Sequence, residues 1–463
     1  MRILLIAKDT EQYTDWFPQG IAYIAAILLK EGYKVEIYHQ NVNHYPDEHL
    51  TDYLDKNHFD VVGVGAIGGY YQYRKLLKIS DAINNSKQRP FYIIGGHCPS
   101  PDPEYFLKKT KADVAVLGEG EVTIVEVLDA LSNKIKLINI KGIAFRDNEK
   151  IIINEDRPLI QDIDTIPFPA YHLFPINYYR LIRPMPGAKK TDFILPVLSG
   201  RGCTFKCTFC YRMDEGFRQR SNEGVVEEVK LFKKNYGITY IMFSDELLMS
   251  SKEITIGLCE ALLKANLNIL WNCNGRLNYA TPDILKLMKR AGCVFINYGI
   301  EAMDDLVLKN MNKGLTTKQI IEGVENTIAA GISPGLNMLF GNIGDNKKTL
   351  SKAVEFLLKY DDGAQMRTIK PVTPYPGSPL YYTAIERGLI KDCEDFYENK
   401  HLNSDLLTVN FTELSGDEFH RCLFDANKKI LTNYYNSQLS TTVEQARKLY
   451  IDKDSSFRGF RQR

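Results

Sequence analysis

The chain has 463 residues, of which 44% are apolar and 25% charged, so it is expected to be a globular protein of two or three domains. The formal net charge of +1 gives no strong field that would attract nucleic acid, and no run of about 18 apolar residues predicts a membrane span. The nine cysteines are an odd number with one cluster, and Lys8 and Asp9 come too early for a secretory signal, so we expect a cytoplasmic protein without disulfides.

Residues 1–140 alternate short apolar strands with helices. Strand-like runs cover Arg2–Ala7 and Lys34–His39, and residues 18–33 between them have helical periodicity. The strand-like segments "HFDVVGVGAI", "FYIIGG" and "ADVAVLGEGE" follow, each before a helical segment. This alternation predicts βαβ units with right-handed crossovers, and therefore a doubly wound, Rossmann-like α/β domain. In such a domain, ligands bind beyond the carboxyl ends of the strands.

Three glycine-bearing loops are expected at that edge of the sheet. Glycine allows the backbone to approach a flat or phosphate-bearing ligand closely, although in any one loop it also serves simply to turn the chain. No G-x-G-x-x-G opens the first helix, which argues against a dinucleotide site. The candidate ligand-binding residues in the three loops are Gly65, Ala66, Gly68 and Tyr70; Gly95, Gly96 and His97; and Gly118, Glu119 and Gly120.

This arrangement resembles the cobalamin-binding domain that precedes radical S-adenosylmethionine (SAM) domains. The matching segments are Pro18-x-Gly20, "VVGVGA", "IIGGHCPSPDPE" and "VLGEGEVT". The resemblance implies that the three loops bind cobalamin. Methylmalonyl-CoA-mutase-like domains carry a cobalt-ligating His in D-x-H-x-x-G after the first strand, but residues 8–18 contain no His, and the partial match at His49 follows the second strand and is interpreted as a solvated helix start. Cobalamin without that ligand is therefore implied, its lower face met by residues 66–71.

Residues 141–188 are expected to form a connector between domains. A hairpin is predicted around residues 147–150, and periodicity is then lost through Pro158, Pro167 and Pro169. The passage "IDTIPFPAYHLFP" is similar to the "LD-x-IP-x-P" segment of radical SAM proteins with a B12 domain. We interpret it as an extended connector on a surface, with the domain boundary between about 140 and 190.

The segment "LSGRGCTFKCTFCYR" places Cys203, Cys207 and Cys210 in the spacing C-x3-C-x2-C. Zinc with a distant fourth ligand and three unrelated buried thiols are alternatives. A cubane [4Fe–4S] cluster normally takes four cysteines. Three would leave one iron open, and an open position is typical of a catalytic metal site. The pattern with aromatic Phe209 before the last cysteine is the signature of the radical SAM superfamily. That resemblance implies that SAM chelates the open iron and is cleaved to a 5′-deoxyadenosyl radical.

Residues 189–390 contain six strand-like segments that alternate with helices, beginning with "FILPVLSG" and ending with "AQMRTIKPVTPYPGSP". This pattern predicts a partial (β/α)6 barrel with its chemistry at the carboxyl ends of the strands. The resemblance places the SAM site there: "FSDE" would bind the amino group, Arg276 the carboxylate, Glu301 the ribose or amino group, and the "TPYPGSPLY" backbone the adenine. Ordinary ion pairs at strand ends are the alternative for each charged residue. The candidate SAM-binding residues are Phe209, Ser244, Asp245, Glu246, Arg276, Glu301 and Pro374.

Residues 391–463 are expected to form a small helical C-terminal region. One helix begins near Ser415 with an acid-rich first turn, "TTVEQARKLY" is expected to be another, and the tail with Phe457, Phe460 and three arginines is interpreted as a frayed terminus. The resemblance implies that this region covers the substrate side.

Taken as a whole, the resemblance implies an enzyme with a [4Fe–4S] cluster, SAM and cobalamin that methylates an unactivated carbon through methylcobalamin. Its partners would be a small-molecule or peptide substrate and an electron donor such as flavodoxin or ferredoxin. Three different functions remain open: radical cyclisation or rearrangement without methyl transfer, as in anaerobic Mg-protoporphyrin monomethyl ester cyclase; a radical SAM enzyme whose first domain has lost cobalamin; and an electron-transfer or sensing protein, which would usually supply four cluster ligands.

Overall fold

The computed structural model describes residues 1–9, 11, 16–181, 185–189, 191–213, 216–403, 405–454, 456 and 460. Two sheets organise this part of the chain, and a long helix lies near its C-terminal end. None of the helices in the described residues is long and apolar enough to cross a membrane.

The first sheet has seven strands in the order β2-β1-β3-β4-β5-β6-β7. The first five strands are parallel, and the chain switches direction across the sheet between β1 and β3, as in the predicted doubly wound fold. The strands are β1 Arg2–Ala7, β2 Lys34–His39, β3 Val61–Gly65, β4 Phe91–Gly95, β5 Val114–Val116, β6 Ile143–Asp147 and β7 Lys150–Ile153. The helices are α1 Gln19–Lys30, α2 Gln40–Asn43, α3 Asp47–Lys56, α4 Tyr70–Asn84, α5 Pro103–Thr110 and α6 Gly120–Asn133.

The hairpin expected around residues 147–150 forms as β6 and β7, and it extends the first sheet. Strand β6 pairs antiparallel with β5, which would otherwise leave an open edge. The sheet therefore continues to Ile153, beyond residue 140, where we expected the domain to end. A later part of the connector is anchored by Tyr171. Tyr171 is buried, stacks on Phe17 at 4.5 Å between ring centroids, and donates a hydrogen bond to the carbonyl of Pro196 at 2.9 Å.

The second sheet has six parallel strands in the order β15-β14-β13-β12-β11-β8, which confirms the predicted partial barrel. Its strands and the small hairpin β9–β10 are β8 Ile194–Val197, β9 Gly200–Cys203, β10 Gly216–Gln219, β11 Tyr240–Phe243, β12 Leu270–Gly275, β13 Cys293–Glu301, β14 Ser333–Phe340 and β15 Ile369–Pro371. The helices around it are α7 Asn222–Tyr236, α8 Lys252–Ala265, α9 Pro282–Arg290, α10 Asp305–Asn310, α11 Thr317–Ala329, α12 Lys347–Tyr360 and α13 Pro379–Glu386.

The C-terminal region contains α14 Cys393–Asp395, the two-stranded hairpin of β16 His401–Asn403 and β17 Leu406–Leu407, and α15 Gly416–Tyr450. Ser415 caps α15 in a capping box with Glu418, as its acid-rich first turn predicts. The segment "TTVEQARKLY" is helical, as predicted, but it continues α15 instead of forming a separate helix. Helix α15 runs for 35 residues, and no Gly or Pro interrupts it after its first residue. Most of the basic tail, including Phe457, lies outside the described residues.

Candidate functional site

Cys203 is the last residue of β9, and Cys207 and Cys210 lie on the loop that follows it. Cys203 is half-buried, Cys207 is buried and Cys210 is exposed. The segment after α10 supports this loop from one side: Thr208 donates its N–H to the carbonyl of Met311 at 3.0 Å, and Asn312 Nδ2 donates to the carbonyl of Lys206 at 2.8 Å. The loop is therefore held on the carboxyl edge of the barrel by backbone contacts and leaves its three thiols for another role.

Loss of solvation raises the pKa of two of the three thiols, Cys203 and Cys210, and in both cases Cys207 adds to the shift. A metal bound to such thiols would deprotonate them. No three His, Cys, Asp or Glu side chains of the described residues converge as ligands of a single ion. Cluster ligands bind separate irons and need not converge in this way, so the three cysteines of this segment remain candidates for a [4Fe–4S] cluster.

Arg276 and Glu301, both predicted at strand ends, each contact Lys313 near the cysteines. Arg276 follows β12, lies 3.4 Å from the centroid of the Phe205 ring and donates Nη2 to the carbonyl of Lys313. Burial lowers the pKa of Arg276, and Cys207 opposes this shift. Among the described residues, its Nε has no hydrogen-bond partner. A buried guanidinium that retains a free donor beside the cluster loop is suited to a carboxylate ligand.

Glu301 is buried at the end of β13 with a φ of 70°, a left-handed conformation that is uncommon for a residue with a side chain. Its Oε1 pairs with Lys313 Nζ at 3.0 Å, and Nζ lies 5.8 Å from the centroid of the Phe209 ring. Lys313 was not predicted. It lies in the loop after α10, and only the folded chain brings it to Glu301.

The three polar residues of the "FSDE" segment make different contacts. The carboxylate of Asp245 is fully buried and accepts the N–H of Ser199 at 2.7 Å, the N–H of Gly200 at 3.1 Å and the hydroxyl of Ser199. The carboxylate of Asp245 therefore holds the start of the cysteine hairpin, and SAM binding by Asp245 stays a prediction. Glu246 is exposed and close enough to Cys203 to raise its pKa. Ser244 donates its hydroxyl to Gln19 Oε1 at 2.7 Å, across the two domains.

The loop after β15 lies against the first domain. Pro374 is buried. A Cβ atom added to Gly68 would lie 3.6 Å from the Tyr375 ring, and one added to Gly377 would lie 2.7 Å from Pro101. The segment predicted to line adenine therefore contacts two of the loops predicted to bind cobalamin.

The loops after β3 and β4 are joined to each other. Ala66 donates its N–H to the carbonyl of Gly95 at 2.7 Å, and Cys98 donates its N–H to the carbonyl of Ala66 at 3.2 Å. Gly96 has a φ of 105°, and a Cβ atom there would lie 2.6 Å from the Ala66 carbonyl oxygen. Only glycine fits this position. His97 is exposed, and its ring lies 6.3 Å from that of Tyr211, the residue after Cys210.

The side chain of Glu119 contacts the second domain and the connector. Its buried carboxylate pairs with Arg201 at 2.7 Å and Arg218 at 2.9 Å, and it accepts the N–H of Ile160 at 2.7 Å. Both carboxylate oxygens are thus occupied by residues of the second domain and the connector, and cobalamin binding by Glu119 stays a prediction. Gly118 has a positive φ of 68° and Gly120 begins α6, so their backbone remains at the ligand edge.

His49 has no place at the ligand edge. It lies in the first turns of α3, where its Nδ1 is 2.7 Å from the Tyr38 hydroxyl and its ring stacks on Tyr45. The interpretation of this segment as a helix start is confirmed.

The two sheets and the cysteine loop define an α/β enzyme in which a metal-binding barrel faces a doubly wound ligand-binding domain. A model of the Radical SAM superfamily matches residues 197–357, and a model of the B12 binding domain matches residues 10–128. An uncharacterised methyltransferase of Pyrococcus horikoshii is 30% identical over 401 residues, covering 84% of both chains. The chain belongs to the radical SAM proteins that carry a B12 binding domain. This membership implies a [4Fe–4S] cluster, SAM and cobalamin as cofactors.

The chain is also similar to a longer curated relative and to a longer protein of known structure. The anaerobic magnesium-protoporphyrin IX monomethyl ester cyclase of Cereibacter sphaeroides is 26% identical over 382 residues, covering 79% of this chain and 60% of the cyclase. The solved structure of the cobalamin-dependent S-adenosylmethionine radical enzyme OxsB, with aqua-cobalamin and S-adenosylmethionine bound, has a TM-score of 0.71 and 19% identity, covering 91% of this chain and 65% of that chain. This likeness shows the shared fold.

Proposed function

We propose that this protein is a cobalamin-dependent radical SAM enzyme that methylates an unactivated carbon of a small-molecule or peptide substrate. The observation that supports the proposal best is the meeting of the two ligand edges. The cysteine loop reaches the β4 loop through Tyr211 and His97, and the β15 loop reaches the β3 loop through Tyr375 and Gly68. Cofactors bound to the two domains would therefore face each other across one space.

When bound, the cluster and SAM supply a 5′-deoxyadenosyl radical and methylcobalamin supplies a methyl group. Cys203, Cys207 and Cys210 hold the cluster. The free Nε of Arg276 is placed to donate to the SAM carboxylate, and the exposed carboxylate of Glu246 to accept its ammonium.

Four further residues complete the proposed SAM site. Glu301 is held in place by Lys313, which neutralises it, so it is suited to accept hydroxyl donors from ribose. The carbonyl of Ser244 and the backbone at Pro374 line the amino and adenine ends, and Phe209 packs beside the last cysteine. Asp245 is proposed to support this site through its hydrogen bonds to Ser199 and Gly200, without contact to SAM.

Cobalamin is proposed to lie on the loops after β3, β4 and β5. A backbone hydrogen bond between Ala66 and Gly95 holds the first two loops together. Gly96 permits this close approach because it has no side chain. The proposed cobalamin-contacting residues are Gly65, Ala66, Gly68, Tyr70, Gly95, Gly96, His97, Gly118 and Gly120.

Cyclisation without methyl transfer is the second candidate function, and the 26% identity to the Cereibacter cyclase favours it. The products of SAM separate the two. Protein purified anaerobically and supplied with cluster, cobalamin, SAM, a flavodoxin or ferredoxin reducing system and small-molecule extract should form both 5′-deoxyadenosine and S-adenosylhomocysteine. 5′-Deoxyadenosine alone would instead support cyclisation or rearrangement. Full SAM cleavage by protein that retains no corrinoid would refute the role of cobalamin.

A further inference from the structure

Four charged side chains join the two domains beside the cluster loop. Glu119 lies just before α6 and Glu121 in its first turn, while Arg201 lies on β9 and Arg218 on β10. Their side chains are 5%, 7%, 14% and 9% exposed, respectively. We call these four residues the interdomain clamp.

Glu119 is the centre of the clamp. Arg201 and Arg218 stand directly opposite each other in the β9–β10 hairpin, where two like charges would repel. Glu119 accepts from Nη1 of Arg201 at 2.7 Å and from Nη1 of Arg218 at 2.9 Å, while the second nitrogen of Arg201 pairs with Glu121. The four charges sum to zero. The arginines lower the pKa of Glu119 although burial opposes this. Within the clamp, each carboxylate is therefore paired with at least one guanidinium.

The clamp connects elements that belong to different cofactors. Glu119 lies between Gly118 and Gly120, in a loop proposed to bind cobalamin. Arg201 lies two residues before Cys203, and Cys203 itself pairs with Gly216 at the end of the same hairpin. A displacement of either element is therefore transmitted through one set of buried ion pairs.

We propose that the interdomain clamp sets the position of the cluster relative to the corrinoid, an inference that rests on the proposed function. The four residues are positioning residues and touch neither cofactor. Buried ion pairs are weak sources of net stability but hold a defined geometry, because an arginine fork and a carboxylate fit in few arrangements. Placement matters for transfer between two bound groups, since an error of about 1 Å can cost on the order of a hundredfold in rate.

The test compares Glu119→Gln with Glu126→Gln in the reconstituted full-length protein. Glutamine keeps the shape of Glu119 but removes the charge that separates Arg201 from Arg218. Glu126 is a matched control, because it lies on the same helix α6 and pairs with Arg157 of the connector, but its side chain is 46% exposed. Three quantities are measured: iron and cobalamin content, the distance between the reduced cluster and cob(II)alamin by pulsed electron paramagnetic resonance, and the rate at which SAM converts cob(I)alamin to methylcobalamin.

Glu119→Gln should keep its iron and bind cobalamin within about twofold of the unmodified affinity, while the distance distribution broadens and methylcobalamin forms about tenfold more slowly or worse. Glu126→Gln should match the unmodified protein in all three. An unchanged distance distribution in Glu119→Gln would overturn the proposal. So would a loss of cobalamin affinity with an unchanged distance, because Glu119 would then be a cobalamin ligand.

A second variant keeps the test decisive if Glu119→Gln does not fold. Arg218→Lys retains the positive charge but loses the planar guanidinium, so a smaller broadening of the distance distribution is expected. A distance distribution identical to that of the unmodified protein would overturn the proposal. Failure of the underlying function gives a different result: the unmodified protein itself would then retain no corrinoid.

Discussion

Replacing Gly96 by alanine should disrupt the contact between the loops after β3 and β4, on which cobalamin is proposed to bind. The φ of Gly96 is 105°, and its added Cβ would lie 2.6 Å from the carbonyl oxygen of Ala66. That oxygen belongs to backbone and already accepts the N–H of Cys98, so the clash cannot be relieved by a side-chain rotation. The loops after β3 and β4 would have to separate.

The cost can be estimated from two terms. Holding a non-glycine residue in this backbone region costs about 1–3 kcal/mol. Displacing the Ala66 carbonyl weakens one backbone hydrogen bond, which is worth about 0.5–1.5 kcal/mol. Together they give roughly 1.5–4.5 kcal/mol, or about 3–18 °C in the melting temperature of a domain of this size.

The assay is thermal unfolding of the protein together with cobalamin titration by absorbance. Gly20→Ala is the matched control, because Gly20 lies in the first turn of α1, an added Cβ there meets nothing within 4 Å, and its φ is ordinary. The control should be neutral or stabilising by less than about 1 kcal/mol. Gly96→Ala should melt earlier and bind cobalamin at least tenfold more weakly. Equal melting temperatures and equal cobalamin affinities for the two variants would refute this reasoning.

Three further predictions follow from the barrel. Cys207→Ala should lose its iron after anaerobic reconstitution, whereas the buried Cys259→Ala should keep it; iron retained by Cys207→Ala would contradict the cluster assignment. Lys313→Met leaves the buried Glu301 unpaired and should lower the free energy of unfolding in urea by about 3–5 kcal/mol, much of which a second change, Glu301→Gln, should restore; no loss would show that the pair is unimportant. Burial raises the pKa of Asp245 to about 6, above its usual value near 4, so the folded state binds more protons between these pH values and its contribution to stability should fall as the pH rises from about 4 to 6. Asp245→Asn should flatten this slope, and parallel slopes for the two proteins would contradict the assignment.

Both sheets could be predicted because their strands are consecutive in the chain and alternate with helices. The β6–β7 hairpin was itself predicted, but its pairing with β5 depends on a free sheet edge that no local pattern reveals. The burial of Tyr171 was missed for the same kind of reason. Prolines correctly indicated irregular backbone, but the apolar surface that receives the ring is supplied by Phe17 and by the second domain.

The role of the cysteine loop could be predicted because the spacing of its three cysteines lies within eight consecutive residues. The carboxylates were harder, since a strand-end acid can face a ligand or hold a neighbouring loop. Asp245 holds Ser199, 46 positions away, and Glu119 holds Arg201, 82 positions away. Arg201, between Gly200 and Gly202, indicates that an acidic side chain contacts this hairpin, but the sequence does not identify that side chain.

The central claim is that an iron–sulfur cluster with an open site faces a bound corrinoid. The most direct test is anaerobic purification followed by measurement of iron, sulfide and corrinoid, with the electron paramagnetic resonance spectrum of the reduced cluster recorded before and after addition of SAM. We predict about four irons and one corrinoid per chain, and a spectrum that changes when SAM binds the open iron. A cluster spectrum that does not change on addition of SAM would contradict the account. So would a protein that contains about four irons per chain but retains no corrinoid.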